Sequence, residues 1–93
     1  MTEDGFVRRV FEIAGFMGLA IEARTPGPSI CFNETSKKWL DKERIRRLFP
    51  AALNPKLTDR EINQLIDSVA PGRPCTHVKM RKILRRIHLE PEF

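Results

Sequence analysis

The chain has 93 residues and a formal net charge of +5, from 17 Lys and Arg against 12 Asp and Glu. A chain of this length can bury one modest core, and 41% hydrophobic residues are enough to fill it. Charged residues such as Arg8, Arg9 and Glu12 interrupt the most apolar stretch, which excludes a membrane span there, and the N-terminus lacks the basic start of a signal peptide. We therefore expect one cytoplasmic domain over residues 1–93.

The first predicted helix begins near Glu3. Apolar residues recur from there at helical spacing, at Phe6, Val10, Ile13, Met17 and Ile21. Gly15 and Gly18 leave its end open, since each glycine costs about 1 kcal/mol relative to alanine in a helix interior. The helix either ends near Gly15 or continues to Ala23.

A long loop is predicted from Thr25 to Lys38. It opens on two prolines and a glycine at positions 26–28, a combination that breaks regular structure. Within this loop, Ile30, Cys31 and Phe32 are apolar. Two interpretations of these three residues remain open, a short extended segment or side chains inserted into the core.

The second predicted helix begins after Asp41, whose carboxylate can accept the free N–H groups of the first turn. Its apolar face consists of Ile45, Leu48, Phe49 and Ala52. Pro50 falls in the last turn and disfavours helical geometry at the preceding residue, so we expect the helix to end or kink there.

Two further helices are predicted after Asn54. Thr58 and Glu61 form a capping box, in which each side chain accepts a hydrogen bond from the backbone of the other. The third helix then has an apolar face of Ile62, Leu65, Ile66 and Val69. Thr76 is expected to cap the fourth helix. The apolar positions of that helix are Val78, Met80, Ile83, Leu84 and Ile87.

The run from Leu57 to Val69 resembles the entering helix of a calmodulin-like EF-hand, where a leucine–threonine cap, an acidic first turn and this apolar spacing recur. Val78, Ile83 and Ile87 then match the apolar residue of the loop and the exiting helix. The first half of the chain is similar in its apolar spacing. The resemblance implies an all-α fold of four main helices, with two paired helix–loop–helix units over about residues 3–53 and 54–89 and a long first loop.

Calcium binding is predicted to be lost, and no cofactor is expected. A calcium loop supplies about six or seven oxygen ligands and closes with a bidentate glutamate. Between Val69 and Leu89 there is no Asp or Glu, and the place of the closing glutamate falls on Arg81 or Lys82. In the first unit it falls on Arg44. A cation at that place repels a divalent ion.

The resemblance also implies a hydrophobic groove that binds amphipathic helices. Its predicted lining residues are Leu48, Phe49, Met80, Leu84 and Ile87. A predicted basic rim consists of Arg73, Lys79, Arg81, Lys82, Arg85 and Arg86. We therefore expect a calcium-independent protein-interaction or scaffolding module. It would bind a helical segment with acidic character or pack within a larger cytoskeletal or regulatory assembly.

The basic rim has two other interpretations, a solvated helix face and a site for nucleic acid or an anionic surface. The lack of acidic residues in this stretch argues against simple solubilisation, which usually mixes signs. Against nucleic acid, the predicted connection Ala70–Thr76 is longer than the turn of a helix-turn-helix, and aromatic residues for base stacking are few.

Other chemistry has weak support in the sequence. Cys75 and His77 offer two metal ligands, which are too few for a zinc site. Cys31 and Cys75 lack the spacing of a disulfide framework, and we expect two reduced thiols. The sequence contains no glycine-rich phosphate loop, nucleophile elbow or paired catalytic carboxylates, so an enzyme is not expected.

Overall fold

The computed structural model describes residues 1–24, 27–33, 35, 38–70 and 74–90, which form three strands and five helices. The strands are β1 (Ala20–Arg24), β2 (Gly27–Asn33) and β3 (Lys38–Asp41). The helices are α1 (Glu3–Phe16), α2 (Lys42–Arg46), α3 (Phe49–Leu53), α4 (Asp59–Val69) and α5 (Pro74–His88). The fold is therefore mixed α/β, and the predicted all-α class with two paired EF-hand-like units is wrong.

The error lies in the segment predicted as a long loop, which contains β2, and in the residues on either side of it, which form β1 and β3. The three strands make an antiparallel sheet in the order β1-β2-β3, and β1 occupies residues that the longer version of the first predicted helix included. Ile30 and Phe32 on one face of β2 are buried, and so is Cys31 on the other face. A strand buried on both faces shows no alternation of apolar and polar residues, so the period-two signal of a strand is missing from the sequence. The segment is extended and also enters the core, which combines the two interpretations left open.

Helix α1 begins at Glu3 as predicted and ends at Phe16, which agrees with the shorter of the two predicted ends. The hydroxyl of Thr2 accepts a hydrogen bond from the Gly5 N–H at 3.0 Å and caps the first turn. Gly18 has a φ of 76°, in the left-handed region that favours glycine. The chain therefore leaves the helix there and turns into β1.

The predicted second helix is divided into α2 and α3. The Asp41 carboxylate accepts a hydrogen bond from the Arg44 N–H at 2.8 Å, which confirms the predicted cap. Pro50 lies in the first turn of α3, where the missing N–H has no partner within the helix in any case. Proline therefore begins a new helix here, and the break falls before it, at Arg47 and Leu48.

The helices α4 and α5 complete the fold. The capping box is confirmed, since the Thr58 hydroxyl accepts from the Glu61 N–H and the Glu61 carboxylate accepts from the Thr58 N–H, both at 3.2 Å. Helix α5 begins at Pro74, so the prediction that Thr76 caps it is wrong. Thr76 lies inside the helix and is buried. The connection between α4 and α5 is therefore residues 70–73.

One hydrophobic core joins the helices to the inner face of the sheet. Four of the five predicted groove residues are fully buried in it, namely Leu48, Met80, Leu84 and Ile87. The fifth, Phe49, is partly buried, and its ring centroid lies 5.7 Å from that of Phe6. In this structure these side chains pack against one another inside the protein and do not line an open groove.

Candidate partner-binding face on helix α5

Four cations of α5, two half-buried and two exposed, lie in two adjacent rows, because residues four apart lie above one another on a helix. Arg81 and Arg85 form the inner row, beside α4. The outer row consists of Val78, Lys82, Arg86 and Leu89. These six residues and Asp59 line a surface groove of about 480 Å³.

The inner row is bonded to α4 and to the residues before it. Arg85 Nη2 donates to the Leu57 carbonyl oxygen at 2.9 Å and to Asp59 Oδ1 at 3.1 Å. Arg81 Nη1 donates to Asn63 Oδ1 at 2.6 Å. Leu57 and Asp59 flank the N-terminal cap of α4, so these bonds fix the start of α4 against the last turns of α5. The inner row thus has a structural role in the protein.

The outer row has no such partners among the residues that the structure describes. Within the described residues, the Lys82 ammonium forms no hydrogen bond or ion pair. The guanidinium carbon of Arg86 lies 5.8 Å from the centroid of the Phe16 ring, and no carboxylate within those residues pairs with it. The apolar members are accessible, with Val78 44% and Leu89 83% exposed. The row therefore combines two cations available to a ligand with apolar surface at both ends.

Phe16 extends this row onto α1. It is the last residue of that helix and is 75% exposed, although large aromatic side chains are usually buried. It lies off the buried stripe of α1, which includes Phe6, Val10 and Ile13. The Arg86 side chain lies over one face of the ring. We call Phe16 and the outer row together the α5 outer face.

An ion pair holds the C-terminal end of this face. Arg9 on α1 forms a salt bridge with Glu90 and a second with Glu12 at 2.9 Å. Two hydrogen bonds raise the pKa of Arg9 above its ordinary value. The bond to Glu90 contributes most, and the bond to Glu12 contributes less. Because Glu90 follows Leu89 directly, the bond from Arg9 ties the chain just after α5 to α1.

The predicted basic rim is thus divided by the structure. Lys79 Nζ donates to the Phe32 carbonyl oxygen at 2.9 Å and ties α5 to β2. Arg81 and Arg85 are bonded as described above, and Arg73 lies outside the described residues. Lys82 and Arg86 alone, of the described rim residues, have no carboxylate or carbonyl partner. The predicted groove and the predicted rim do not share one surface, since the groove residues are inside the core.

Sequence reasoning missed Phe16 and Leu89. Both could have been identified from the sequence as large apolar residues that do not belong to the predicted buried face of a helix. Phe16 falls outside the apolar spacing of α1, and Leu89 follows the last turn of α5. Large apolar residues at such positions are exposed, and a cluster of them marks a contact surface.

The described residues hold no group of three or more His, Cys, Asp or Glu side chains placed to bind a metal ion. His77 Nε2 lies 2.6 Å from Asp67 Oδ1, and this pair links α5 to α4. Cys31 is buried and Cys75 is exposed, and both are free thiols. The absence of calcium, of other cofactors and of catalysis stays a prediction.

Comparisons with protein-family models, with curated proteins and with solved structures gave no match for this chain. The EF-hand resemblance therefore has no support from related proteins. In the part of the chain that the structure describes, every helix is too short or too polar to cross a membrane.

Proposed function

We propose that this protein is a non-enzymatic, calcium-independent interaction module that binds a helical protein segment through the α5 outer face. The partner segment presents apolar side chains to Phe16 and Leu89 and acidic side chains to Lys82 and Arg86. One observation carries the proposal, namely that exposed apolar residues and unpaired cations lie side by side on this face.

The apolar part supplies the affinity. Burying an exposed phenylalanine or leucine side chain contributes roughly 1.5–3 kcal/mol. Aromatic and arginine side chains are also the residue types that most often dominate binding energy at interfaces. Phe16 with Arg86 over its ring provides both types at one place. A partner that covers Phe16 and Arg86 removes apolar surface from water. Few contacts within this protein have to be broken for it to bind.

The charged part selects the partner. Lys82 and Arg86 are one helical turn apart, so they match two acidic residues one turn apart on a partner helix. Cations already satisfied within the protein, such as Arg85, gain little from a new acid. The proposed site therefore differs from the predicted groove, because it uses the outside of α5 and leaves the buried residues in the core.

Binding of nucleic acid through the same face is the second candidate. The observation in its favour is the short connection at residues 70–73, which is within the range of a helix-turn-helix. This corrects the objection that the connection is too long. Against it, the inner row already bonds to protein groups, so fewer cations remain for phosphates.

A binding titration with two fluorescent probes separates the candidates. One probe is a synthetic amphipathic peptide with leucines on one helical face and glutamates on the other, and the second is a short DNA duplex. We expect saturable binding of the peptide, weakened about tenfold by Phe16→Ala and left unchanged by the control Arg44→Glu on α2. Tighter binding of the duplex, insensitive to Phe16→Ala and steeply weakened by salt, would favour nucleic acid instead.

A further inference from the structure

The outer edge of strand β1 is open. β1 is the first strand in the order β1-β2-β3, and among the described residues no other strand pairs with its outer side. Its residues from Ile21 to Arg24 are all exposed. Exposed edges in proteins are usually blunted by proline, a bulge or a covering element. β1 pairs with β2 in regular register and contains no proline, and the irregularity of the sheet lies between β2 and β3.

The register shows which backbone groups point away from the sheet. Ala23 pairs with Pro28, and proline has no N–H to donate, so we assign this pair to the non-hydrogen-bonded kind. In an antiparallel ladder the two kinds of pair alternate, so Ile21 has the same orientation. The N–H and C=O groups of Ile21 and Ala23 therefore face the open edge. Within the described residues they make no other backbone hydrogen bond.

The side chains of β1 alternate between two faces. Ile21 lies on the α1 side, where its Cδ1 is 3.9 Å from the point that a Cβ on Gly15 would occupy. Glu22 and Arg24 share the opposite face, and the Arg24 guanidinium lies 4.5 Å above the Trp39 ring centroid. Glu22 and Arg24 thus lie two residues apart on the same face of β1, with the Arg24 guanidinium turned over the sheet toward Trp39 of β3.

We propose that a second copy of this chain pairs with the open edge of β1, antiparallel, about a two-fold axis through Ala23. In that register Glu22 of each copy lies directly opposite Arg24 of the other, and each exposed Arg24 side chain turns from the Trp39 ring to the Glu22 carboxylate of the other copy, which gives two cross-strand charge pairs of opposite sign. Ala23 faces Ala23, and the two residues exchange both backbone hydrogen bonds. A two-fold axis through Glu22 would instead place the two Glu22 side chains opposite each other, which is unfavourable.

The α1 side of β1 is partly open, since Gly15, which lies beside Ile21, lines a surface depression of about 510 Å³ together with Glu12 and Phe16. Gly15 has no side chain to obstruct that side. The pairing would join two three-stranded sheets into one continuous sheet and cover the open edge of β1 in each copy. This inference concerns the free chain and does not rest on the proposed function, although Phe16 of the α5 outer face also lines this depression.

The test measures the mass of the free protein over a concentration series by sedimentation velocity. We expect a monomer–dimer equilibrium that Glu22→Arg and Arg24→Glu each weaken about tenfold, because each puts like charges opposite one another. An equimolar mixture of the two variants restores opposite signs in both pairs and should dimerise as the unaltered chain does. Arg44→Glu on α2 is the matched control and should leave the equilibrium unchanged.

A second variant addresses the backbone. Ala23→Pro removes an N–H that faces outward and leaves the bonds between β1 and β2 in place, so it should abolish the dimer while circular dichroism stays unchanged. A protein that remains monomeric at every concentration overturns the proposal. It is also overturned if Arg24→Glu dimerises as well as the unaltered chain, or if the mixture of variants fails to associate.

Discussion

The inner and outer rows of α5 contain similar cations at neighbouring positions, yet they differ in what they contact. Arg85 bonds to Asp59 and to the Leu57 carbonyl, whereas Arg86 lies over the Phe16 ring. Of these two consecutive residues, Arg85 stabilises the fold and Arg86 is available to a partner. A run of basic residues therefore indicates a binding face only after the cations bonded within the protein have been removed from it.

The strongest way to test this division is to compare Leu84 within α5 with Leu89, which directly follows the helix. Leu84 is fully buried, and Leu84→Ala should lower the free energy of unfolding by about 2–5 kcal/mol through lost burial and a cavity. Leu89 is 83% exposed, and Leu89→Ala should change it by less than about 0.5 kcal/mol. Urea denaturation followed by circular dichroism measures both. Equal effects of the two substitutions would mean that the side of α5 that carries Leu84 does not face the core.

The arginines of the two rows should also differ in their contribution to the free energy of unfolding, although the difference should be smaller than for the two leucines. Arg85→Ala should cost about 1 kcal/mol of unfolding free energy, because it removes hydrogen bonds to partly exposed groups. Arg86→Ala should be neutral within about 0.5 kcal/mol. Thermal unfolding of both variants beside the unaltered chain decides this. A larger loss for Arg86→Ala would reverse the assignment of the rows.

The smallest effect concerns the pair of Arg85 and Asp59. A double-mutant cycle with alanine at both positions should give a coupling energy of about 0.2–1 kcal/mol, the range for exposed ion pairs. The same cycle with Arg86 and Asp59 should give none, since Arg86 has no bond to Asp59. Coupling of equal size in both cycles would show that Asp59 acts through its charge alone.

The helices of this fold were more accessible to sequence reasoning than the sheet. Helix α4 could be predicted because its start is encoded locally, in a capping box that needs only Thr58 and Glu61. Strand β2 could not, because Ile30 and Phe32 are buried by helices while Cys31 is buried on the other face. Its pattern depends on distant neighbours, and an apolar run that directly follows the breakers at positions 26–28 fits a loop equally well.

The candidate site could be predicted only in part. The basic residues of α5 were identified as a group, but their division depends on Asn63, Asp59 and the Leu57 carbonyl, which the fold brings to Arg81 and Arg85. The predicted groove placed apolar helical faces at the surface. In a chain of this length the same faces are needed to form the core, so burial within the protein competes with exposure to a partner.

The most direct test of the α5 outer face is a nuclear magnetic resonance titration of the isotope-labelled protein with the acidic amphipathic peptide. We predict that the largest shift changes fall on Phe16, Lys82, Arg86 and Leu89, while α2 and the core residues Leu48 and Met80 stay unchanged. Changes concentrated on Leu48 and Met80 would mean that the core opens into the groove expected from sequence. Shift changes confined to α2, or no shift changes at the highest peptide concentration, would contradict the proposed face.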